Sequence, residues 1–245
     1  MNLGELRSKT RKRLGDTNSA FWTDDELNDY INDGCRDVSF RTKSIKKNGY
    51  ISTVSCDENL VAQVSNEYSL SANFPNLYAV LEVYFFSEGT DWIRLKPVMR
   101  EDLDNESNGW RGNVGYVSSD SGTGVVTYNY GSHTATPECY YWHREEDIIG
   151  FNPPPDDYNA GTSYARIYYA ERHTDLTGDS ESPLIPEPLH LAVINYAVAT
   201  GFEDRGWGDK ANDNWNKYFA RLKDYKIETN REREDDEIQS QNYKR

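Results

Sequence analysis

Cys139 and His143 stand four residues apart in ECYYWHR, two side chains of the kind that ligate metals or pair a thiolate with a base. A structural zinc site usually takes four ligands, and two do not make one, so the pattern favours core packing. His133, His173 and His190 are scattered, with no serine or cysteine at a spacing that suggests a catalytic triad. Asp175, Asp179 and Glu181 in DLTGDSESP look like a calcium loop, but the glycine and ligand spacing of an EF-hand are absent. That segment reads as a turn entering a helix at Pro186. Glu145 with Glu146, and Asp156 with Asp157, are paired acids of glycosidase type, yet adjacent residues seldom converge on one bond, and they read as solvated or lumen-facing charge. The expectation is a protein with no catalytic residues, no cofactor and no metal site.

The elements that would position any site are better specified than the chemistry. In FWTDDELNDYINDG, Thr23 is an N-cap, Glu26 can reach back to the Thr23 amide as in a capping box, and Asp24 and Asp25 complement the helix dipole. Trp22 before the cap and Leu27 at the fourth helical position are placed for a hydrophobic staple. Leu27, Tyr30, Ile31, Gly34, Val38 and Ile45 form one stripe of that helix. Upstream, Leu3, Leu6, Thr10 and Leu14 recur at helical spacing before a left-handed cap at Gly15. Arg7, Lys9, Arg11, Lys12 and Arg13 cover the rest of that surface, either as a solvated cationic face or as a docking face for an acidic partner.

After Asn48 the period changes to strands: GYISTVS, NEYSLS, LYAVLEVYFF, DWIRLK, GVVTYNY, ECYYWHR, DIIGF and TSYARIYYAER, with a long polar loop between Asp104 and Gly124. Helix returns after LIPEPLH in LHLAVINYAVATGF, apolar nearly all round, and GWGD separates it from a second helix marked by Ala211, Trp215, Tyr218, Phe219, Leu222 and Tyr225. The expected fold class is therefore α+β. A four-helix bundle-like body comes from two helical hairpins, residues 1–47 and 186–227, packed together. An antiparallel β-sandwich or barrel occupies 48–185, and 228–245 is a charged tail that is disordered or folds on a partner.

Charge narrows the function classes. The chain of 245 residues carries 27 basic and 41 acidic side chains, a net charge of −14. Residues 1–47 hold 10 basic and 8 acidic groups and 186–245 hold 10 and 12, while 48–185 hold 7 and 21, so the insertion carries the imbalance. Such a segment repels phosphate, which argues against specific nucleic-acid recognition. No window approaches the length of a membrane span, and the N-terminus lacks an apolar signal core. Three cysteines, Cys35, Cys56 and Cys139, at irregular spacing point to free thiols and assembly in a cytoplasm. The tyrosines and tryptophans of EVYFF, DWIRL and YYWHR have two readings: core and interface packing, or stacking on sugars as in a carbohydrate-binding or other tail-associated β module.

The opening LGELRSKTRKRLGDTNSAFWTDDELNDYIND resembles the N-terminal signature of tailed-bacteriophage head-to-tail adaptor proteins. The run from FNPPPDDY through IYYAERHTDLTGDSESPLIPEPLHLAVINYAVATGFEDRG is similar to that family's closing strands and third helix. The resemblance implies a structural virion protein at the neck. Its homo-dodecameric ring would be bound above to the portal and below to a tail nozzle or other tail proteins, and double-stranded DNA would pass through its channel without sequence recognition. It further implies that the tail docks on the portal. Arg231, Arg233, Lys244 and Arg245 would steer it, and Ile238 and Tyr243 would be its apolar anchors.

Overall fold

The computed structural model describes residues 1–52, 67–71, 73–86, 92–101, 103, 137–152 and 164–242. Cys56, His133, Asp156, Asp157, the GVVTYNY segment and the loop 104–124 lie outside them. The chain forms two compact units, Met1–Lys46 with Glu171–Arg245, and Lys47–Ala170.

In the helical unit, α1 spans Leu3–Leu14 and α2 spans Asp24–Thr42. The Thr23 capping box forms as expected: Glu26 N donates to Thr23 Oγ1 at 3.2 Å, and Thr23 N donates to the Glu26 carboxylate at 2.7 Å. A second box, Asn2 with Glu5, opens α1. Gly15 ends α1 at φ 77°, a conformation that costs a residue with Cβ about 1–2 kcal/mol. After a short 3₁₀ turn at Glu187–Leu189 comes α3, His190–Asp204, then α4, Gly208–Asn242. Helix α3 packs against α1, α2 and α4, which explains why its sequence is apolar all round. One core gathers Leu6, Trp22, Leu27, Ile31, Val193, Ile194, Val198, Tyr218 and Leu222 from all four helices and the α1–α2 loop.

That loop is organised by one buried carboxylate. Asp16, 3% exposed, accepts hydrogen bonds from the amides of Ala20 at 2.8 Å, Phe21 at 3.2 Å and Trp22 at 3.1 Å, and from Arg11 Nη1 at 3.0 Å. The other nitrogen of Arg11 reaches Asp24 at 2.6 Å, so the same guanidinium ties the loop to the first turn of α2. Burial pushes the Asp16 carboxyl up, but three backbone amides and the Arg11 charge outweigh it and hold the group below its ordinary range.

The segment after the last strand belongs to the helical unit, where the sequence pattern had grouped it with the insertion. Its carbonyls at Glu181 and Asp179 accept the Leu3 and Gly4 amides at 2.8 and 3.1 Å, satisfying donors that the start of a helix leaves free. Asn32 closes a two-way amide lock on Leu176, donating to its carbonyl at 3.1 Å and accepting from its amide at 2.9 Å.

The β unit has β1 Lys46–Ser52, β2 Glu67–Ser69, β3 Leu77–Phe86, β4 Ile93–Arg94, β5 Lys96–Pro97, β6 Cys139–His143, β7 Ile148–Asn152 and β8 Tyr164–Glu171. They form two four-stranded sheets, ordered β1-β8-β3-β4 and β2-β7-β6-β5. Val83, Phe85 and Ile167 of the first sheet share a core with Tyr140, Ile149 and Phe151 of the second. Neither sheet closes into a barrel, and the expectation of a wholly antiparallel insertion is corrected at β5, which runs parallel to β6 with Lys96 opposite Cys139. The sequence between those strands exceeds the dozen or so residues a parallel crossover needs. The β6–β7 hairpin is antiparallel, with Tyr141 opposite Gly150. A Cβ added at Gly150 would lie 2.0 Å from the Tyr141 ring, so the glycine makes room for that buried aromatic.

Two outcomes follow. Gly150→Ala should destabilise the protein by about 1–3 kcal/mol in urea unfolding, with most of the loss recovered in a Gly150→Ala/Tyr141→Ala pair relative to Tyr141→Ala alone. An additive pair would show that the ring is not what the methyl meets. For Asp16, the folded value lies below the unfolded one of about 3.9, so its contribution is full above that pH and is lost as pH falls through the folded value. Asp16→Asn should therefore lower the melting temperature at pH 7, and the gap from wild type should narrow below about pH 4. A gap independent of pH would assign the loss to shape rather than charge.

Candidate functional site

Among the described residues, Cys139, His143, His173 and His190 are engaged in structural contacts. Cys139 is half-buried and donates to the Asn152 carbonyl at 3.4 Å, and His143 Nδ1 lies 3.5 Å from Glu146, which also pairs with Arg100 at 3.0 Å. Cys35 is fully buried in the helical core, and desolvation pushes its thiol up to about 12. His173 accepts the Leu184 amide at 3.1 Å through Nε2. His190 donates from Nε2 to the Ile185 carbonyl at 3.1 Å and accepts the Met1 ammonium at Nδ1 at 2.9 Å. Burial holds both imidazoles below the usual histidine range. Among the described residues no group of three or more His, Cys, Asp or Glu could hold a metal ion. The acids of DLTGDSESP act as ties: Asp175 accepts from Arg36, Asp179 from Arg7 at 3.0 Å, and Glu181 from the Thr177 amide at 2.8 Å.

The cationic face of α1 is likewise corrected in part. Arg11 is buried on Asp16 and Asp24, Arg7 reaches Asp179 and Asn28, and Arg13, itself exposed like Lys9 and Lys12, donates to Asn195 on α3. Three of the five cations thus point to partners inside the unit, a use of charge that helical spacing alone does not reveal.

The aromatics mostly pack. Phe85, Tyr140, Tyr141, Phe151 and Tyr169 are buried in the β unit. Tyr50 and Trp92 are exposed there, 6.1 Å apart, but their rings are inclined by 49° and offer no flat stacking platform. In the helical unit Phe40 on α2 and Phe219 on α4 are about half exposed, with the Arg41 guanidinium 5.6 Å from the Phe219 ring. Phe219 was grouped with the core stripe of its helix on spacing, and it lies on the rim of that stripe instead.

Helix α4 includes the positions of Arg231, Arg233 and Ile238, three of the six sequence-predicted docking residues. Ala211, Tyr218 and Leu222 are its buried anchors, and Trp215 and Tyr225 pack partly against them. Beyond Tyr225 the helix outlasts its own core, with Ile227 exposed, and the backbone stays helical through Asn242, where composition suggests a tail that is disordered or folds on a partner. No Gly or Pro follows Gly208, and Arg, Glu and Gln are good helix formers, so nothing in the sequence stops the helix. Tyr243, Lys244 and Arg245 lie outside the described residues. A polar cleft between α1, α3 and α4, with Arg13, Asn195 and Arg221 in its lining, was not visible in the sequence, because its parts are far apart in the chain.

Among the described residues, no helix is long and apolar enough to cross a membrane. No curated protein matches the chain. The family model described as SU10 adaptor protein matches residues 1–243, almost the whole length. The chain belongs to the SU10 adaptor protein family, a family of bacteriophage head-to-tail adaptors.

Proposed function

We propose that the protein forms the dodecameric neck ring that joins the portal to a tail nozzle or other tail proteins. It assembles in the host cytoplasm and performs no catalysis. The observation that supports this reading best is α4, a helix whose buried anchors end near Tyr225 while its backbone continues to Asn242. A helix carried past its own core gains little from isolated propensity, so a partner surface is what would make its order worthwhile. The portal is that surface, with Arg231, Arg233, Lys244 and Arg245 steering the approach and Ile238 and Tyr243 anchoring it. A lone exposed ion pair contributes about 0–1 kcal/mol, whereas burying an Ile or a Tyr contributes about 1.5–3 kcal/mol, so the anchors dominate.

Part of the acidic surplus of 48–185, or acids of the helical hairpins, supplies a DNA channel wall that repels the phosphate backbone and lets double-stranded DNA slide without sequence recognition. Ring contacts are heterologous, one face meeting a different face of the next copy, and they are weak until the portal raises the effective concentration.

Deleting 228–245, and separately combining Ile238→Asp with Tyr243→Ser, should leave the helical circular-dichroism signal of the body in place and abolish co-sedimentation with portal. Unchanged portal binding by both variants would show that the body, and not the end of α4, makes the contact. Sedimentation of the free wild type at micromolar concentration should give a monomer or weakly associating species, and stable 12-subunit rings without portal would count against templated assembly.

A further inference from the structure

The cleft between α1, α3 and α4 has a volume of about 660 Å³ and is lined by Arg13, Asn195, Lys210, Asp213, Lys217 and Arg221, among others. Its charges are unevenly matched. Lys217 is held by Asp213 four residues earlier on α4. Lys210 lies over the rings of Trp207 and Phe202, at 4.8 and 5.6 Å from their centres. Arg13 and Arg221 approach one another with no carboxylate partner among the described residues, and Arg13 donates to the neutral Asn195 Oδ1. Partial burial and then the positive charge of Arg221 depress the Arg13 guanidinium, while part of its side chain stays exposed.

Asn195 supplies a second, independent sign. It is 1% exposed, its Oδ1 is taken by Arg13, and its Nδ2 has no acceptor. A buried amide donor with no acceptor is unfavourable until a ligand group supplies one. Two guanidinium groups and one amide donor in the lining of one cleft match the lone pairs of a carboxylate.

We propose that this cleft binds a carboxylate side chain from a neighbouring copy of the same chain. Arg13 and Arg221 clasp its oxygens, and Asn195 Nδ2 gives the third hydrogen bond. A nucleic-acid backbone is the poorer occupant, because Asp209 and Asp213 in the same lining repel a run of phosphates, whereas a single carboxylate needs only the paired arginines. The second copy is favoured by charge: residues 48–185 of every chain carry 21 acidic against 7 basic groups, and the cleft holds four cations against two acids. In a closed heterologous ring each copy presents both the cleft and the surplus, so one contact type repeats around the circle. The choice of occupant rests on the ring reading above; the site itself does not.

Two measurements separate the site from its occupant. First, fluorescein-labelled oligoglutamate and a double-stranded oligonucleotide are titrated against the full-length wild type, Arg13→Gln/Arg221→Gln and Arg13→Lys/Arg221→Lys, each checked for unchanged circular dichroism. The wild type should bind oligoglutamate in a salt-sensitive way, the glutamine pair should lose on the order of tenfold or more, and the lysine pair should keep most of the affinity. Absence of wild-type binding, equal binding by the glutamine pair, or preference for the oligonucleotide overturns the site. Second, complexes with portal carrying Arg221→Lys are treated with a zero-length carbodiimide, and the cross-links are mapped by mass spectrometry. Coupling of position 221 to an Asp or Glu of another copy is expected, whereas coupling only within one chain or to portal overturns the second-copy occupant. If the wild type forms no ring on portal, the ring reading and the second-copy occupant fail together, and the oligoglutamate titration still decides whether the site exists.

Discussion

The buried Asp16 carboxylate sets the geometry from which the helical unit is built. Three consecutive amides of the α1–α2 loop and the Arg11 guanidinium converge on it, so the exposed loop over residues 17–21 turns sharply with these donors satisfied. That turn delivers Trp22 into the core and sets Thr23 at the head of α2, where its capping box takes over. With α1 and α2 fixed against each other, the apolar surface that remains has one complement, the all-round apolar helix α3. Helix α4 then closes the fourth side through Ala211, Tyr218 and Leu222.

The unit spends its charge on register. Arg7 with Asp179, Arg36 with Asp175, Tyr30 with Asp204 and Tyr218 with Asp37 join residues more than a hundred positions apart. Most of these groups are partly exposed, and each such pair adds at most about 1 kcal/mol, so burial of Leu, Ile and Trp side chains dominates stability. What the pairs supply is discrimination: the 171–189 segment carries few large apolar residues, and its carbonyls and acids find their places by matching specific donors on α1 and α2. Such a segment is held in one arrangement by direction-dependent bonds where an apolar strap could slide.

Features set by neighbours in sequence were legible, and features set by distant partners were not. The Thr23 box, the Gly15 stop, the buried character of α3 and the change to strand period after Asn48 all follow from local spacing, and the structure has them. Asp16 gave no signal because its partners sit four, five and six residues away in an irregular loop, at no repeating period. Arg7, Arg11 and Arg13 looked like a free surface because helical spacing reports which side of α1 they occupy and not what stands opposite. The parallel β5–β6 pair and the reach of the helical unit back to Glu171 escaped for the same reason, since pairing direction and segment ownership are settled by the returning chain. The composition of the last segment was read for its lack of apolar residues, while its lack of any helix breaker proved the better guide to its backbone.

The 35 residues of α4 have a mechanical corollary. At 1.5 Å per residue, the stretch from Leu222 to Asn242 reaches roughly 30 Å from the last buried anchor. It works as a lever arm whose pivot is the contact of Ala211, Tyr218 and Leu222 with α3. A tilt of about 10° at that pivot displaces the far end by about 5 Å, close to one helical turn. Small changes in how the body is packed are thereby magnified into a displacement at the tip, and a lateral force on the tip acts on the buried contacts through the whole length of the arm.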